Sequence, residues 1–449
     1  MLKEINTYFK LKRKLNFLSL SHEQIEKIQL HKLKKLVEHA YATVPYYHDL
    51  FIRNNIRPHD IKTLEDIKRI PVSSKEDFLR VDREQLCSTI FKKRDLRTVK
   101  SSGTTGEPFL LYIDSNYAQT LGADALRSKM MHGLRLTDKI LKIGGDNNVI
   151  RKRKNPLYHF LLKRATLSSF CKPHEILAFY NSFKPEVVRG YISSLYSFAL
   201  WLETQRMVLK HKPKFILCSA ETVHDFMKQK ISEIFQTKII DRYATVELGI
   251  VADQCEHEDG YHIFEDSVLA EIIELDSKNY FVGTNLDNYA MPFIRYNTRD
   301  ICDPWPAQER ECSCGMQTRK LKRIIGRDND FITLPTGGFI APIDLIFFLR
   351  NWYPFITKFR FTQDYDTRLR LEVIVTHNTD EELFNGIIHK FRLITQDIKL
   401  EVVKVDDIPP DSSGKMRIVR SELCSVENQM GKQNGDLVQN YKTLQSSVR

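Results

Sequence analysis

Residues 215–247 read FILCSAETVHDFMKQKISEIFQTKIIDRYATVE. Phe215–Cys218 is a short apolar run that ends at a polar turn, the pattern of a buried strand. His224–Phe235 follows as a helical stretch, and Ile239–Tyr243 is a second apolar run of the first kind. Strand, helix and strand in that order make a unit whose two strands lie parallel. The stretch closes on Asp241-Arg242-Tyr243-Ala244-Thr245-Val246-Glu247. A carboxylate at the C-terminal edge of such a strand is well placed to hold Mg²⁺ beside a triphosphate, and Tyr243 is placed to stack on a base. Taken alone, a strand-end Glu is most often just solvated.

The same alternation extends upstream. Ile140–Ile143 and Glu186–Arg189 read as strands, and Ser115–His132, closed by Gly133, reads as a helix. This argues for an α/β body with a largely parallel sheet. Residues 262–284 change character, with an apolar/polar alternation in Ser267–Glu274 that predicts an antiparallel β subregion. Further on, Phe359–Thr362, Leu369–Val375 and Leu400–Val405 read as strands and Glu381–Ile394 as a helix, a small α+β domain. Leu369, Leu371, Val373 and Val375 fall on one face of its second strand. At the other end, Ile25, Ile28, Leu33, Leu36, Val37 and Ala40 mark an amphipathic helix over 22–41, with Ser21 and Gln24 in the form of a capping box. TVPYY (Thr43–Tyr47) breaks that helix at Pro45, and KRIPVSSK (Lys68–Lys75) leads toward the body. The expected class is therefore α/β, with a large N-terminal domain of mixed, largely parallel sheets plus a β subregion, and a small mobile C-terminal α+β domain. The domain bounds are 1–328, with a helical lead-in over 1–98, then 329–425, and a polar, disordered tail over 426–449.

Composition narrows the function classes. The chain has 449 residues, 42% hydrophobic and 28% charged, which fits an ordinary globular protein of two or three domains. No apolar run approaches the roughly 18–20 residues of a membrane-spanning helix, and Leu15–Leu20 is too short for a signal-peptide core. The 8 cysteines are spread too thinly for a disulfide framework, which fits a reducing, cytoplasmic location. The net charge of +11 is diffuse, and no nucleic-acid recognition module accompanies it. Its densest stretch, Arg151–Arg164, mixes cations with apolar residues. It has two readings, a solvated connecting segment, which is the favoured one, or a surface for anionic lipid at the inner face of a membrane.

Four further stretches carry chemistry. Ser101-Ser102-Gly103-Thr104-Thr105-Gly106-Glu107-Pro108 supplies glycine-permitted turns, backbone N–H groups and hydroxyls, the makings of a phosphate cradle without the Walker lysine. Met291-Pro292 precedes Arg295-Tyr296-Asn297-Thr298-Arg299-Asp300, in which Asp300 can accept both hydroxyls of a ribose. Ile325-Gly326-Arg327-Asp328-Asn329-Asp330 lies at the domain joint, and Pro409-Pro410-Asp411-Ser412-Ser413-Gly414-Lys415 ends in a lysine after the last predicted strand. Each by itself reads equally as an ordinary turn.

In this order the set resembles the adenylate-forming acyl/aryl ligase superfamily, in its phenylacetate–CoA ligase and capsular polysaccharide biosynthesis (CapK-type) branch. The resemblance runs from about residue 22 to 425 and takes in TVPYY, IPVSSK, Gly190-Tyr191-Ile192-Ser193-Ser194-Leu195 and Ser219-Ala220-Glu221. It implies an ATP- and Mg²⁺-dependent enzyme that activates a carboxylic acid as an acyl-adenylate and passes the acyl group to CoA, a carrier thiol or a sugar acceptor. Ser101, Ser102, Gly103, Thr104, Thr105 and Gly106 would embrace the phosphates. Ser219, Ala220, Glu221 and Tyr243 would line the adenine pocket, Glu247 would bind Mg²⁺, Asp300 the ribose and Arg327 the ribose or phosphate side. Lys415 would bridge carboxylate and α-phosphate, and the small domain would turn about Asn329/Asp330. Ala244, Thr245, Ile143–Gly145 and Tyr191 would contribute to the acid pocket. Three departures stand out: Val246 where a Thr or Ser is usual, Phe109 where a Lys is frequent, and Asp-Asn-Asp at the hinge. The alternatives are a phenylacetate-type aryl-CoA ligase and a non-catalytic nucleotide-binding protein on the same fold.

Cys312-Ser313-Cys314-Gly315 forms a C-x-C knuckle with Cys255, His257 and His262 upstream. Cys255, His262, Cys312 and Cys314 would make a structural tetrahedral Zn²⁺ site, with His257 as the alternative to His262. The bland reading is four unrelated residues, since C-x-C is less diagnostic than paired C-x-x-C.

Overall fold

The computed structural model describes residues 2–100, 109–144, 163–168, 170–257, 260–275, 278–307, 310, 312–335, 339–340, 342–349, 352, 355–364, 368–375, 381–394, 398–411 and 415–421. The expected tail and residues 151–162 of the basic segment lie outside them. The chain divides into two units, Met1–Ile324 and Ile325–Arg449.

The first unit opens with helices α1 (Leu2–Phe17), α2 (His22–Thr43), α3 (Pro45–Arg53) and α4 (Lys75–Leu79). Ser21 and Gln24 cap α2 reciprocally, and its buried stripe is Ile25, Gln29, Leu33, Leu36, Val37 and Ala40. Ile28, expected in that stripe, is only half-buried. Gln29 takes the inner position instead and donates from Nε2 to Val268 O at 3.3 Å. Pro45 stops α2 for want of an N–H and starts α3, where the first turn needs none.

Strands β1 (Arg97–Lys100) and β2 (Leu110–Ile113) pair antiparallel; the expected phosphate cradle, 101–106, falls between them and outside the described residues. Next come α5 (Ser115–Met131), β3 (Ile140–Ile143), β4 (Arg164–Leu167), α6 (Pro173–Phe183), β5 (Val187–Gly190), α7 (Ile192–Thr204), β6 (Phe215–Ser219), α8 (Asp225–Phe235), β7 (Lys238–Thr245), β8 (Gly249–Gln254) and β9 (Tyr261–Ile263). Strands β10 (Val268–Leu275), β11 (Lys278–Asn285) and β12 (Tyr296–Cys302) pair antiparallel in sequence. Then β13 (Lys320–Leu321) joins the main sheet, whose order is β13-β9-β8-β7-β6-β5-β3-β4. From β7 to β4 its pairings are parallel, and from β7 to β13 antiparallel. Arg164, counted in the sequence as the end of a basic segment, opens strand β4. The alternation in Ser267–Glu274 is not realised either, because Val268, Leu269 and Ala270 are all buried. The first half of β10 is covered on both faces.

The chain enters the second unit through β14 (Ile324–Arg327). There β15 (Ile332–Thr333) pairs with β16 (Phe339–Ile340), and α9 (Pro342–Leu349) follows. Strands β17 (Ile356–Gln363) and β18 (Leu369–Val375), helix α10 (Glu381–Ile394), and strands β19 (Leu400–Lys404) and β20 (Val419–Ser421) complete it, in the sheet order β19-β18-β17-β20. Leu369, Leu371 and Val373 of β18 are buried, as are Ile387 and Phe391 of α10, whose Phe391 ring meets Phe348 of α9.

Helix α1 packs on α5 through charge as well as apolar contact. Lys14 Nζ lies 2.9 Å from Asp124 Oδ1 and 3.0 Å from Asp266 Oδ2. Arg127 donates to Asp266 and Asp124 at 2.8 Å each, with its guanidinium 3.9 Å from the centre of the Phe264 ring. Burial works against the Asp266 charge, but Arg127 and Lys14 outweigh it and hold the carboxyl below its ordinary value. A second buried acid behaves in the opposite way. Tyr261 donates to Asp241 Oδ2 at 2.7 Å, and burial pushes the Asp241 carboxyl up to about 6.

Two stability predictions follow from these acids. Asp266→Ala leaves Lys14 and Arg127 to share Asp124, with Asp287 4.0 Å from Lys14, so denaturant unfolding at pH 7 will show a loss of about 3–5 kcal/mol. For Asp241 the folded value lies above the ordinary 3.8, so its contribution is full below pH 3.8 and lost as pH climbs through about 6. Asp241→Asn will therefore raise the thermal midpoint relative to wild type at pH 8 more than at pH 4.

Candidate functional site

Strand β7 ends at Thr245, and Val246, Glu247 and Leu248 form the turn into β8. Thr245 Oγ1 accepts from Leu248 N at 3.0 Å. Asn285 Nδ2 reaches across from β11 to donate to Glu247 O at 3.0 Å and to Tyr117 Oη at 2.6 Å. The backbone at Glu247 is thus fixed from β11, and through Tyr117 from α5. Gly249 closes the turn with φ of +80°, and a Cβ there would stand 2.8 Å from Leu121 Cδ2; both conditions call for glycine. Val246 packs half-buried against the hydrophobic core. Phe109, the second departure, is buried in an aromatic cluster with Phe78 and Phe293. At both positions the side chain serves packing.

Tyr243 Oη donates to Asp300 Oδ2 at 2.6 Å and lies 3.2 Å from Thr298 Oγ1. The Thr298 hydroxyl donates in turn to Phe281 O at 3.0 Å, and the Tyr243 ring meets Phe281 edge-on at 5.2 Å. Burial and the neighbouring Asp300 raise the Tyr243 hydroxyl well above its ordinary value, so it remains a donor. Two expected site residues 57 positions apart are brought into direct contact.

Arg295 has a different role from Asp300. It grips Glu271 with Nε at 3.0 Å and Nη2 at 2.8 Å, and donates from Nη1 to Lys68 O and Ile70 O at 2.9 and 2.6 Å. Ser73 bonds through its N–H to Arg295 O and through its carbonyl to Asn297 N. The KRIPVSSK segment is thereby laid along β12, which nothing in its composition announced.

Ser219 ends β6, and Ala220 takes a φ of +74°, uncommon for a residue with a Cβ. This aims Glu221 at the start of α7, where its carboxylate accepts from Ser193 N at 3.0 Å and Ser193 Oγ at 2.8 Å. Glu221 is a helix cap supplied from another strand. Gly190 ends β5 where a Cβ would lie 2.3 Å from Ile143 O, and a Cβ on Gly144 would lie 3.2 Å from Tyr191 Cδ2. Gly144 and Tyr191, both expected at the acid pocket, therefore meet at the ends of β3 and β5; Gly145 lies outside the described residues.

Cys255, His262, Cys312 and Cys314 present one ligand atom each, all within 4.8 Å of one another. Cys255 Sγ is 3.5 Å from Cys312 Sγ, and Cys314 Sγ is 3.2 Å from His262 Nε2. A tetrahedral zinc with Zn–S of about 2.3 Å sets S···S edges of about 3.8 Å, so the donor set has the right scale. Thr318 Oγ1 lies 3.0 Å from His262 Nδ1 and orients the ring. His257 is outside the group and pairs with Glu256.

In the second unit, Arg327 closes β14 and is exposed, and Asp328–Asp330 forms a 3₁₀ turn. Arg417 Nη1 lies 3.9 Å from Asp330 Oδ1. Asp411 shapes the loop that carries Lys415: its N–H donates to Lys415 O at 2.8 Å and its carboxylate accepts from Lys415 N at 3.1 Å.

Comparison with known proteins bears on this arrangement. The family described as CapK C-terminal domain matches residues 332–422. Protein CapK of Staphylococcus aureus is 24% identical over 418 residues, 88% of this chain and 89% of that protein. The phenylacetate-coenzyme A ligase of Thermus thermophilus is 25% identical over 347 residues, 70% of this chain and 73% of that protein. Among solved structures, 2-hydroxyisobutyryl-CoA ligase in its postadenylation state with 2-HIB-AMP superposes with a TM-score of 0.74 at 17% identity, over 92% of this chain and 94% of that one. The anthranilate CoA ligase AuaEII with anthranoyl-AMP superposes with a TM-score of 0.53 at 13% identity, over 83% and 79%. Among the described residues no helix is long and apolar enough to cross a membrane. The chain is thus similar in sequence to CapK and to the phenylacetate-coenzyme A ligases, and it shares the fold of solved acyl-CoA ligases.

Proposed function

We propose that this protein activates a carboxylic acid with ATP, forming an acyl-adenylate and pyrophosphate, and then transfers the acyl group to CoA or another acceptor. The observation that carries the reading is the joining of Tyr243 to Asp300 beside the pinned Glu247 turn, all at the carboxyl end of β7. Ligands of open α/β sheets collect at that end of the strands. In this reading Asp300, oriented by Tyr243, takes the ribose hydroxyls, with Ser219 and Ala220 at the adenine and Arg327 at the ribose or phosphate side. Ser101, Ser102, Gly103, Thr104, Thr105 and Gly106 take the phosphates, and Glu247 holds Mg²⁺. Lys415 supplies positive charge to the carboxylate and α-phosphate as pyrophosphate leaves. Glu221 acts by holding the start of α7 in place.

The likeness to CapK spans 88% of the chain and that to the phenylacetate-coenzyme A ligase 70%. The longer likeness supports the CapK-type reading, a cytoplasmic step of cell-surface polysaccharide biosynthesis, ahead of a phenylacetate-type aryl-CoA ligase. Acid-dependent ATP–pyrophosphate exchange over a panel of carboxylic acids tests both. Lys415→Ala will lower exchange about 10²–10³-fold. A protein that exchanges pyrophosphate with no acid overturns the reading, and strong preference for phenylacetate transfers it to the aryl-CoA alternative.

We also propose that Cys255, His262, Cys312 and Cys314 hold a structural zinc, since four protein ligands leave no open position for chemistry. Purified protein will carry one equivalent by metal analysis, and Cys314→Ser will lose it together with thermal stability. Stoichiometric protein without metal refutes the site.

A further inference from the structure

The face of the main sheet that lies under α5 carries an unusual set of cations. Ile140, Leu217 and Ile240 on that face pack with Ala123 and Leu126 of α5. Register puts Lys142 beside Arg189, and Arg189 beside Leu217. Arg164 stands beside Ile140, and Arg242 lies two residues beyond Ile240, so all four cations share the face. From the helix side, Lys129 follows Ser128, whose Oγ accepts from Arg242 Nη2.

Asp253 answers part of this charge, accepting from Arg242 Nε at 2.9 Å. Among the described residues no carboxylate lies within ion-pair distance of Lys129 or Arg189. The Lys129 side chain is buried and its Nζ donates to Ala125 O. Burial and then Arg242, Arg189 and Arg164 push its ammonium well below the ordinary value. Burial, with Arg242 and Arg164, brings even the Arg189 guanidinium down to about 10. Desolvated like charges repel, and a fold keeps such a group together when an anion completes it.

The position says which anion. Lys142 is one residue before the end of β3, Arg189 one before the end of β5 and Arg242 three before the end of β7. Directly beyond them stand Gly144, Tyr191 and Ala244, the residues assigned above to the acid pocket. We infer that the cluster of Lys129, Lys142, Arg164, Arg189 and Arg242 is the floor of that pocket and binds a second acidic group on the substrate. The preferred acid then bears a carboxylate or phosphate besides the carboxylate that is adenylated. This rests on the ligase reading for its location.

The test compares succinate, glutarate and adipate with butyrate, valerate and hexanoate in ATP–pyrophosphate exchange without CoA. The expected result is a kcat/KM preference for the diacids of at least tenfold, lost in Arg189→Gln and in Lys129→Met. Lys129→Met removes a disfavoured buried charge, so it will fold even where Arg189→Gln does not, which unfolding midpoints will show. Independently of activity, 10 mM glutarate without ATP (on the order of a millimolar Kd) will raise the wild-type thermal midpoint more than valerate does, and will not do so in Lys129→Met. Equal use of monoacids and diacids, with a preference unmoved by both variants, overturns the inference while leaving the ligase reading intact. In a separate assay of the CoA-dependent second step, variants that change only the KM for CoA assign the cluster to the acceptor's phosphates and overturn the inference equally. Exchange with no acid, together with the glutarate shift, keeps the anion site and rejects the ligase.

Discussion

The first unit depends on a network of buried charges centred on Lys14, Asp124, Arg127 and Asp266, with Asp287 and Lys32 at its edge. Each buried cation at its centre is answered by carboxylates, so removing a central member leaves its partners poorly compensated in the interior. The set ties α1, α5 and the turn before β10 to one another, although those elements come from widely separated parts of the chain. Helix α5 is thereby fixed against the main sheet. Its Tyr117 then orders Asn285 and the Glu247 turn, and its Ser128 meets Arg242. The geometry at both candidate sites therefore descends from this charge network.

Strand β7 is where those consequences divide. Successive side chains of a strand point to opposite faces. Arg242 faces α5 and the cation cluster, while Tyr243 faces Phe281 and joins Asp300. A register slip of one residue would exchange an arginine for a tyrosine on each face and bury a charge in the aromatic core. Pairing with β6 on one side and β8 on the other prevents this. Neighbouring residues of one strand thereby stand in two separate environments, one charged and one aromatic.

The local signals were legible where periodicity and turn chemistry act over a few residues. The capping box at Ser21, the break at Pro45 and the strands around Ile140, Phe215, Ile239 and Leu369 lie where the sequence puts them. Within the helical lead-in, the role of Lys14 was not legible: a lysine reads as surface, yet Lys14 is buried because Asp124 and Asp266 meet it there. Strand β4 was hidden in the same way, since Arg164 is a poor sign of a sheet interior.

The sequence by itself determined the main alternation of strands and helices, the α/β class, and which residue types stand at the ends of the strands it marked. Each of these follows from side-chain size, polarity and backbone preference along a short window. Only the tertiary structure decided what those residues do. It joined Tyr243 to Asp300, turned Arg295 and Glu221 into a clamp and a cap, and gathered Cys255, His262, Cys312 and Cys314. It also chose His262 over His257 for that group, and set Lys129 and Arg189 together where no carboxylate among the described residues pairs with them. Such roles depend on which partner lies across a sheet or beneath a helix. Burial sets the strength of each interaction there, and neither the partner nor its burial is written in the neighbouring residues.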